Sequence, residues 1–141
     1  MIEQLVSFTL NSEEFAIDIM KVREIIRIPD ITRVPNAPDV VDGVINLRGI
    51  IIPVVSIQRV FNLPMSEDTE LSRIIVVQEG NEVVGIKVDS VSEVMNLDSA
   101  SIEPPPPLVM ANHKFFRGIG KRGGRLIILI DLNDIASLGN F

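Results

Sequence analysis

Cysteine, tryptophan and tyrosine are absent from this 141-residue chain, histidine occurs once and phenylalanine six times. Without cysteine there is no disulfide framework, no thiol nucleophile and no thiolate metal site, a usage that agrees with a reducing compartment. Without Trp or Tyr most of the stacking surface for single-stranded nucleic acid is missing, and a formal charge of −6 repels phosphate backbones. No nucleic-acid partner is expected. Long apolar runs are lacking as well: stretches such as Ile50-Ile51-Ile52-Pro53-Val54-Val55 fall far short of the ~20 residues that span a bilayer, and Met1-Ile2-Glu3-Gln4 offers no basic segment ahead of an apolar one. These features point to a soluble, cytoplasmic protein with no direct membrane insertion.

What remains is aliphatic. Hydrophobic residues make up 46% of the chain, enough for a real core, and Val and Ile dominate them, which favours the pleated surface of a sheet. The chain also repeats itself. At an offset of 69, Leu5, Val6 and Phe8 fall on Ile74, Ile75 and Val77, Ile17 and Ile19 on Ile86 and Val88, and Val22, Glu24 and Ile25 on Val91, Glu93 and Val94. At an offset of 75, Gly43 and Gly49 fall on Gly118 and Gly124, and Val54, Val55 and Ile57 on Leu129, Ile130 and Leu132. Each copy reads as strand, turn, strand, short helical turn, loop, hairpin and closing helix. Ser56 and Asp131 stand where each closing helix needs an N-cap.

A copy of this size with four or five short strands fits a small closed barrel, which removes the edge strands an open sheet would expose. The expected fold is therefore all-β with short helices: two five-stranded SH3-like barrels related by the repeat and packed together. The polar, proline-containing segment 64–72 places the division at 1–66 and 67–141, with exchange of strands between the halves left open.

Catalytic chemistry finds little footing. His113 has no metal-ligating neighbour at a suitable spacing. Gly118-Ile119-Gly120-Lys121-Arg122-Gly123 matches G-x-G-x-x-G, but that phosphate cradle requires a following helix, and a strand-like run, Leu126–Ile130, follows instead. The acidic pairs Glu13-Glu14 and Glu67-Asp68 sit in turns where solvated charge explains them. Pro104–Pro107 reads as a rigid crossover loop, with a polyproline II ligand as the competing account. No catalytic residue, no metal site and no cofactor is expected.

Three stretches carry a family resemblance over essentially the whole chain. Gly43-Val44-Ile45-Asn46-Leu47-Arg48-Gly49-Ile50-Ile51-Ile52-Pro53-Val54-Val55 resembles the central motif of the CheW-type chemotaxis coupling proteins. Gly85 to Val94, and Gly118 to Leu132, resemble two further signatures of that family; Ser56 departs from the aspartate the family commonly places there. The resemblance implies two SH3-like barrels forming a non-catalytic adaptor. Its implied partners are the cytoplasmic tips of methyl-accepting chemoreceptors and the CheW-like regulatory domain of the chemotaxis histidine kinase, with recruitment to membrane receptor arrays.

Arg48 is where the two copies differ most usefully, because Asn46-Leu47-Arg48-Gly49 aligns with Lys121-Arg122-Gly123-Gly124. The resemblance implies a receptor-binding groove at Arg48, Glu24, Val22, Ile19, Ile25, Val6 and Leu47, with core packing as the alternative for the apolar members. The spacing of Ile19, Val22, Ile25 and Ile26 is roughly helical. For the kinase, the candidates are Ile28, Ile31 and Val34 in one segment and Pro107 and Leu108 in another, where prolines stiffen the chain and aliphatics supply anchors. Two readings compete: a CheW-like adaptor in a non-chemotaxis pathway, and a nucleotide-binding enzyme using Gly118–Gly124.

Overall fold

The fold was obtained as a computed structural model, in which residues 1–104 and 115–139 are described. The first copy supplies β1 (Ile2–Leu10), β2 (Glu13–Asp18), β3 (Val22–Arg27), β4 (Val41–Leu47), β5 (Ile50–Val55) and α1 (Ile57–Val60). The second supplies β6 (Arg73–Glu79), β7 (Glu82–Val88), β8 (Ser90–Asp98), β9 (Ile102–Glu103), β10 (Phe116–Arg122), β11 (Arg125–Ile130) and α2 (Leu132–Ser137). None of the described helices is long and apolar enough to cross a membrane.

The strands form two SH3-like barrels. One sheet runs β8-β1-β2-β11-β10-β9 and the other β3-β6-β7-β5-β4. Among the described residues the expected count of five holds for the second; the first gains a sixth, the two-residue β9, which pairs with Ile119 and Gly120 of β10. The expected division at 66/67 separates the sequence copies but not the sheets. Hairpin β1–β2 sits between β8 and β11, while hairpin β6–β7 sits between β3 and β5, so each copy inserts its first hairpin into the barrel of the other. A three-residue 3-10 turn, Ile19–Lys21, carries the chain from β2 in one sheet to β3 in the other.

That exchange explains the nearly continuous apolar runs, since an exchanged strand is buried on both faces. Along β6, Ile74 and Val76 point into one barrel with Ile45, Ile52 and Val54, while Ile75 and Val77 join the larger core between the barrels. Along β2, Ala16 packs inside the other barrel with Leu5 and Leu129, while Phe15 and Ile17 face the shared core. A row of rings, Phe8, Phe15, Phe61 and Phe116, runs through stacked neighbours with centroids 4.7–6.2 Å apart.

The repeated glycine has a repeated cause. Gly43 (φ +147°) lies under the crossover segment, where a Cβ would overlap the Thr32 carbonyl oxygen and meet Ile31 Cγ2 at 2.9 Å. At Gly118 a Cβ would meet the Glu103 carbonyl oxygen at 2.6 Å and Ile102 Cγ2 at 2.9 Å. Ser56 and Asp131 cap their helices as expected, accepting from Arg59 N at 3.2 Å and Asn133 N at 2.9 Å.

Candidate functional site

The hairpin β4–β5 turns through two residues, Arg48 (φ +51°) and Gly49 (φ +88°), both in the left-handed region that suits the twist of a tight hairpin. Asn46 holds the turn, its Oδ1 accepting from Gly49 N at 2.8 Å. Left-handed backbone disfavours a residue with a Cβ, so arginine here carries a conformational cost that glycine would not.

The turn aims Arg48 across the barrel mouth at Glu24 on β3. Nη1 donates to Glu24 Oε1 at 3.1 Å and Nη2 to Oε2, the two-pronged geometry that matches guanidinium to carboxylate. These hydrogen bonds hold the Glu24 carboxyl below its ordinary pKa, against the opposing effect of desolvation, and raise that of Arg48. Arg48 remains largely exposed, its side chain retaining 70% of its accessible surface. Since β3 and β4 are the two edges of their sheet, the pair also closes the barrel. A small cleft beside it is lined by Arg23, Leu47, Ile50, Ile52, Val76 and Val83. Ile25, Ile50 and Ile51 are exposed.

The other hairpin tip is paired differently. Glu93, which takes Glu24's place in the repeat, meets Arg125 at 3.3 Å and Arg122 at 3.8 Å. Both arginines lie in strands flanking a turn built from Gly123 (φ +56°) and Gly124 (φ +81°). An acid on the third strand can thus be paired without placing arginine in a left-handed position.

The sequence matches the family described as CheW-like domain over residues 4–139. It is 38% identical over 136 residues to "Chemotaxis protein CheW" of Klebsiella aerogenes, covering 96% of this chain and 82% of that protein. It is 34% identical over 134 residues to the protein of the same name from Bacillus subtilis, covering 94% and 86%. The fold superposes on the crystal structure of "scaffolding protein TtCheW from Thermoanaerobacter tengcongensis" with a TM-score of 0.87 and 39% identity, over 94% of this chain and 86% of that one. The chain belongs to the CheW-like family.

On this CheW-like fold the expected receptor-groove residues divide by exposure. Arg48, Glu24 and Leu47 meet at one cleft, with Ile25 exposed at 42% on the same strand as Glu24. Val6, by contrast, is 2% exposed and belongs to the core between the barrels, so it supports the surface from beneath. Ile19 and Val22 are half-buried against that same core. The roughly helical spacing of Ile19, Val22, Ile25 and Ile26 is not a helix: only Ile19–Lys21 turns, and Val22–Arg27 is a strand whose exposure alternates residue by residue. Antiparallel pairing with β6, Ile25 opposite Ile75 and Ile26 opposite Ile74, overrides the spacing.

Among the kinase-facing candidates, Ile28 and Ile31 are half-buried against the core of the β3–β7 barrel, and Val34 is half-buried beside a polar cleft that includes Arg33, Asp42 and Arg59. Pro107, Leu108 and His113 lie outside the described residues. Of the acidic pairs expected to be solvated in turns, Glu13, Glu67 and Asp68 are exposed, but Glu13-Glu14 opens β2 rather than a turn; Glu14 is half-buried and pairs with Arg125, and Asp68 pairs with Lys87 at 2.8 Å. Glu93 with Arg122 and Arg125 was not among the expected sites, although the offset of 69 already placed an acid there. What the repeat did not reveal was that the cations answering it sit on either side of the glycine turn.

Proposed function

We propose that this chain is a non-catalytic coupling protein that links the cytoplasmic tips of chemoreceptors to the chemotaxis histidine kinase and is recruited by them to receptor arrays. The observation that carries the reading is Arg48. It occupies a left-handed turn position that its own repeat fills with glycine, and it stands exposed over an apolar cleft. Pairing the acid on the third strand does not require that arrangement, since the second copy pairs Glu93 from ordinary strand positions. A conformational cost kept where structure does not demand it supports a role in contact with a partner.

In this reading Arg48, held in place by Glu24, offers its remaining hydrogen-bonding capacity to polar groups of a receptor's helical tip, Leu47 takes apolar side chains at the cleft, and the exposed Ile25 takes them on the opposite face of β3. Ile19 and Val22 support the Ile25 side of β3 from the core between the barrels. The segment Ile28–Val34, with Pro107 and Leu108, serves the kinase's matching domain; Ile28 and Ile31 do so mainly by fixing the shape of the loop, because they pack inward. The names of the relatives, chemotaxis and scaffolding proteins, support the pathway.

The test is co-sedimentation with a receptor cytoplasmic fragment, with and without the kinase. Arg48→Ala is expected to fold, shown by an unchanged circular dichroism spectrum, and to lose at least tenfold in receptor affinity while retaining the kinase. Unchanged receptor binding by the folded variant would reject the assignment.

A further inference from the structure

The register between β3 and β6 sets Arg27 directly opposite Arg73. The next pair along, Ile26 with Ile74, packs into the core of the β3–β7 barrel, so both arginines stand on the outer face of the sheet. Like charges in this relation destabilise a sheet. The fold does not need them. At the offset of 69 their counterparts are Asn96 and Gln4, and these face each other in the same register between β8 and β1. Two neutral amides fill the place there.

No carboxylate among the described residues forms an ion pair with either arginine. The Arg27 guanidinium has no hydrogen bond among them, and that of Arg73 is steadied only by backbone, Nη1 donating to the carbonyls of Glu70 and Ser72 at 2.7 Å each. Both arginines line a cleft of about 390 Å³, and two hydroxyls line it with them. Ser72, only 5% exposed, accepts from Thr69 N at 2.8 Å, and Thr69 Oγ1 accepts from Leu71 N at 3.1 Å. Neither hydroxyl donates its own proton to an acceptor among the described residues. The cleft therefore gathers donors from three sources, two guanidinium groups, Thr69 and Ser72, and leaves them without an anion.

We propose that this cleft binds a single carboxylate, the side chain of an aspartate or glutamate on a partner protein, which bridges Arg27 and Arg73 and takes the hydroxyl protons of Thr69 and Ser72. Guanidinium groups suit a carboxylate because their N–H bonds match its two oxygens. The charges around the cleft select one acid over a polyanion. Asp68 is held by Lys87 at 2.8 Å, but Asp30 and Glu70 also line the cleft and pair with neither arginine, and the whole chain carries −6, so each further negative charge on a ligand is repelled. Ile28 and Pro29, half-buried in the cleft wall, offer apolar surface to uncharged residues beside the acid. The cleft shares no lining residue with the one at Arg48. It borders the segment Ile28–Val34 but is assigned on its arginines and hydroxyls, so it stands whether or not that segment meets the kinase.

The experiment is a two-dimensional NMR titration of the full, nitrogen-15-labelled chain at fixed ionic strength. The probes are the capped peptide acetyl-Ala-Leu-Glu-Ala-Gly-amide and the same peptide with Gln in place of Glu. Neither receptor nor kinase is present, so failure here is distinct from failure of the coupling reading. The Glu peptide is expected to shift the Nε–H signals of Arg27 and Arg73 and the backbone amides of Thr69 and Ser72 saturably, and the Gln peptide to bind at least fivefold more weakly. Arg27→Asn/Arg73→Gln, which installs the second copy's pair, is expected to lose the response at Thr69 and Ser72 and to melt no lower than the parent in low salt. Absence of a saturable shift, equal binding of the two peptides, a retained response in the double variant or a lower Tm for it would each overturn the proposal.

Discussion

The two hairpin tips of this molecule are built on one backbone and spend it differently. Gly123 and Gly124 turn β10 into β11 with the residues a left-handed turn prefers, and the cations that meet Glu93 come from the flanking strands. Arg48 and Gly49 turn β4 into β5 at nearly the same angles, but the guanidinium is placed on the turn itself. One tip is a connector. The other is a connector that also presents a charged group over a cleft, and the comparison separates what the barrel needs from what it carries.

The largest effect is expected where the copies agree. Gly43→Ala drives a methyl group into the Thr32 carbonyl and also strains a positive φ, and is expected to cost roughly 3 kcal/mol or more; Gly118→Ala meets a similar oxygen without that strain and is expected to cost about 1–3 kcal/mol. Urea denaturation of both variants measures the difference, and near-neutral effects would remove the claim that the crossovers fix the hairpins.

A smaller effect separates Asp42 from its counterpart, Arg117. Burial pushes the Asp42 carboxyl above its usual pKa, with Lys87 and Arg59 only partly offsetting it, and its Oδ2 is buried without a hydrogen-bond partner among the described residues. The folded state therefore holds the proton to higher pH than the unfolded chain. Stability from this group is present below the ordinary aspartate range, near pH 4, and is lost as pH rises through the elevated folded value. Asp42→Asn is expected to raise Tm at pH 7 and leave it unchanged at pH 3; thermal melts at both values decide.

The smallest effect concerns the clasps. Glu24→Gln and Glu93→Gln each weaken an exposed ion pair, and both are expected to shift Tm by no more than about 2 °C, because exposed pairs contribute little. Only Glu24→Gln is expected to weaken receptor binding, measured by the same co-sedimentation, since Glu93 stands beside a tip that carries no arginine on the turn.

Much of this fold is legible in the sequence because the repeat constrains it twice. Gly43 with Gly118, and Ser56 with Asp131, mark the hairpins and caps at positions the structure reproduces. The exchange of hairpins is not legible, because Ile74 and Ile75 read as equally apolar whichever barrel receives them. Nor is the strand character of Val22–Arg27, where apolar spacing imitates a helix until pairing with β6 is known. At the candidate site, Arg48 and Glu24 were readable because the copies differ at one and agree at the other. Val6 was not, since burial between two barrels is a property of their packing.

The central claim is that Arg48 is kept for a partner rather than for the turn, and swapping the tips tests it. Arg48→Gly gives the first hairpin the second's turn, and is expected to be at least as thermostable as the parent yet at least tenfold weaker for the receptor fragment in co-sedimentation. A variant that is markedly less stable, or that binds the receptor fragment as the parent does, would contradict the account.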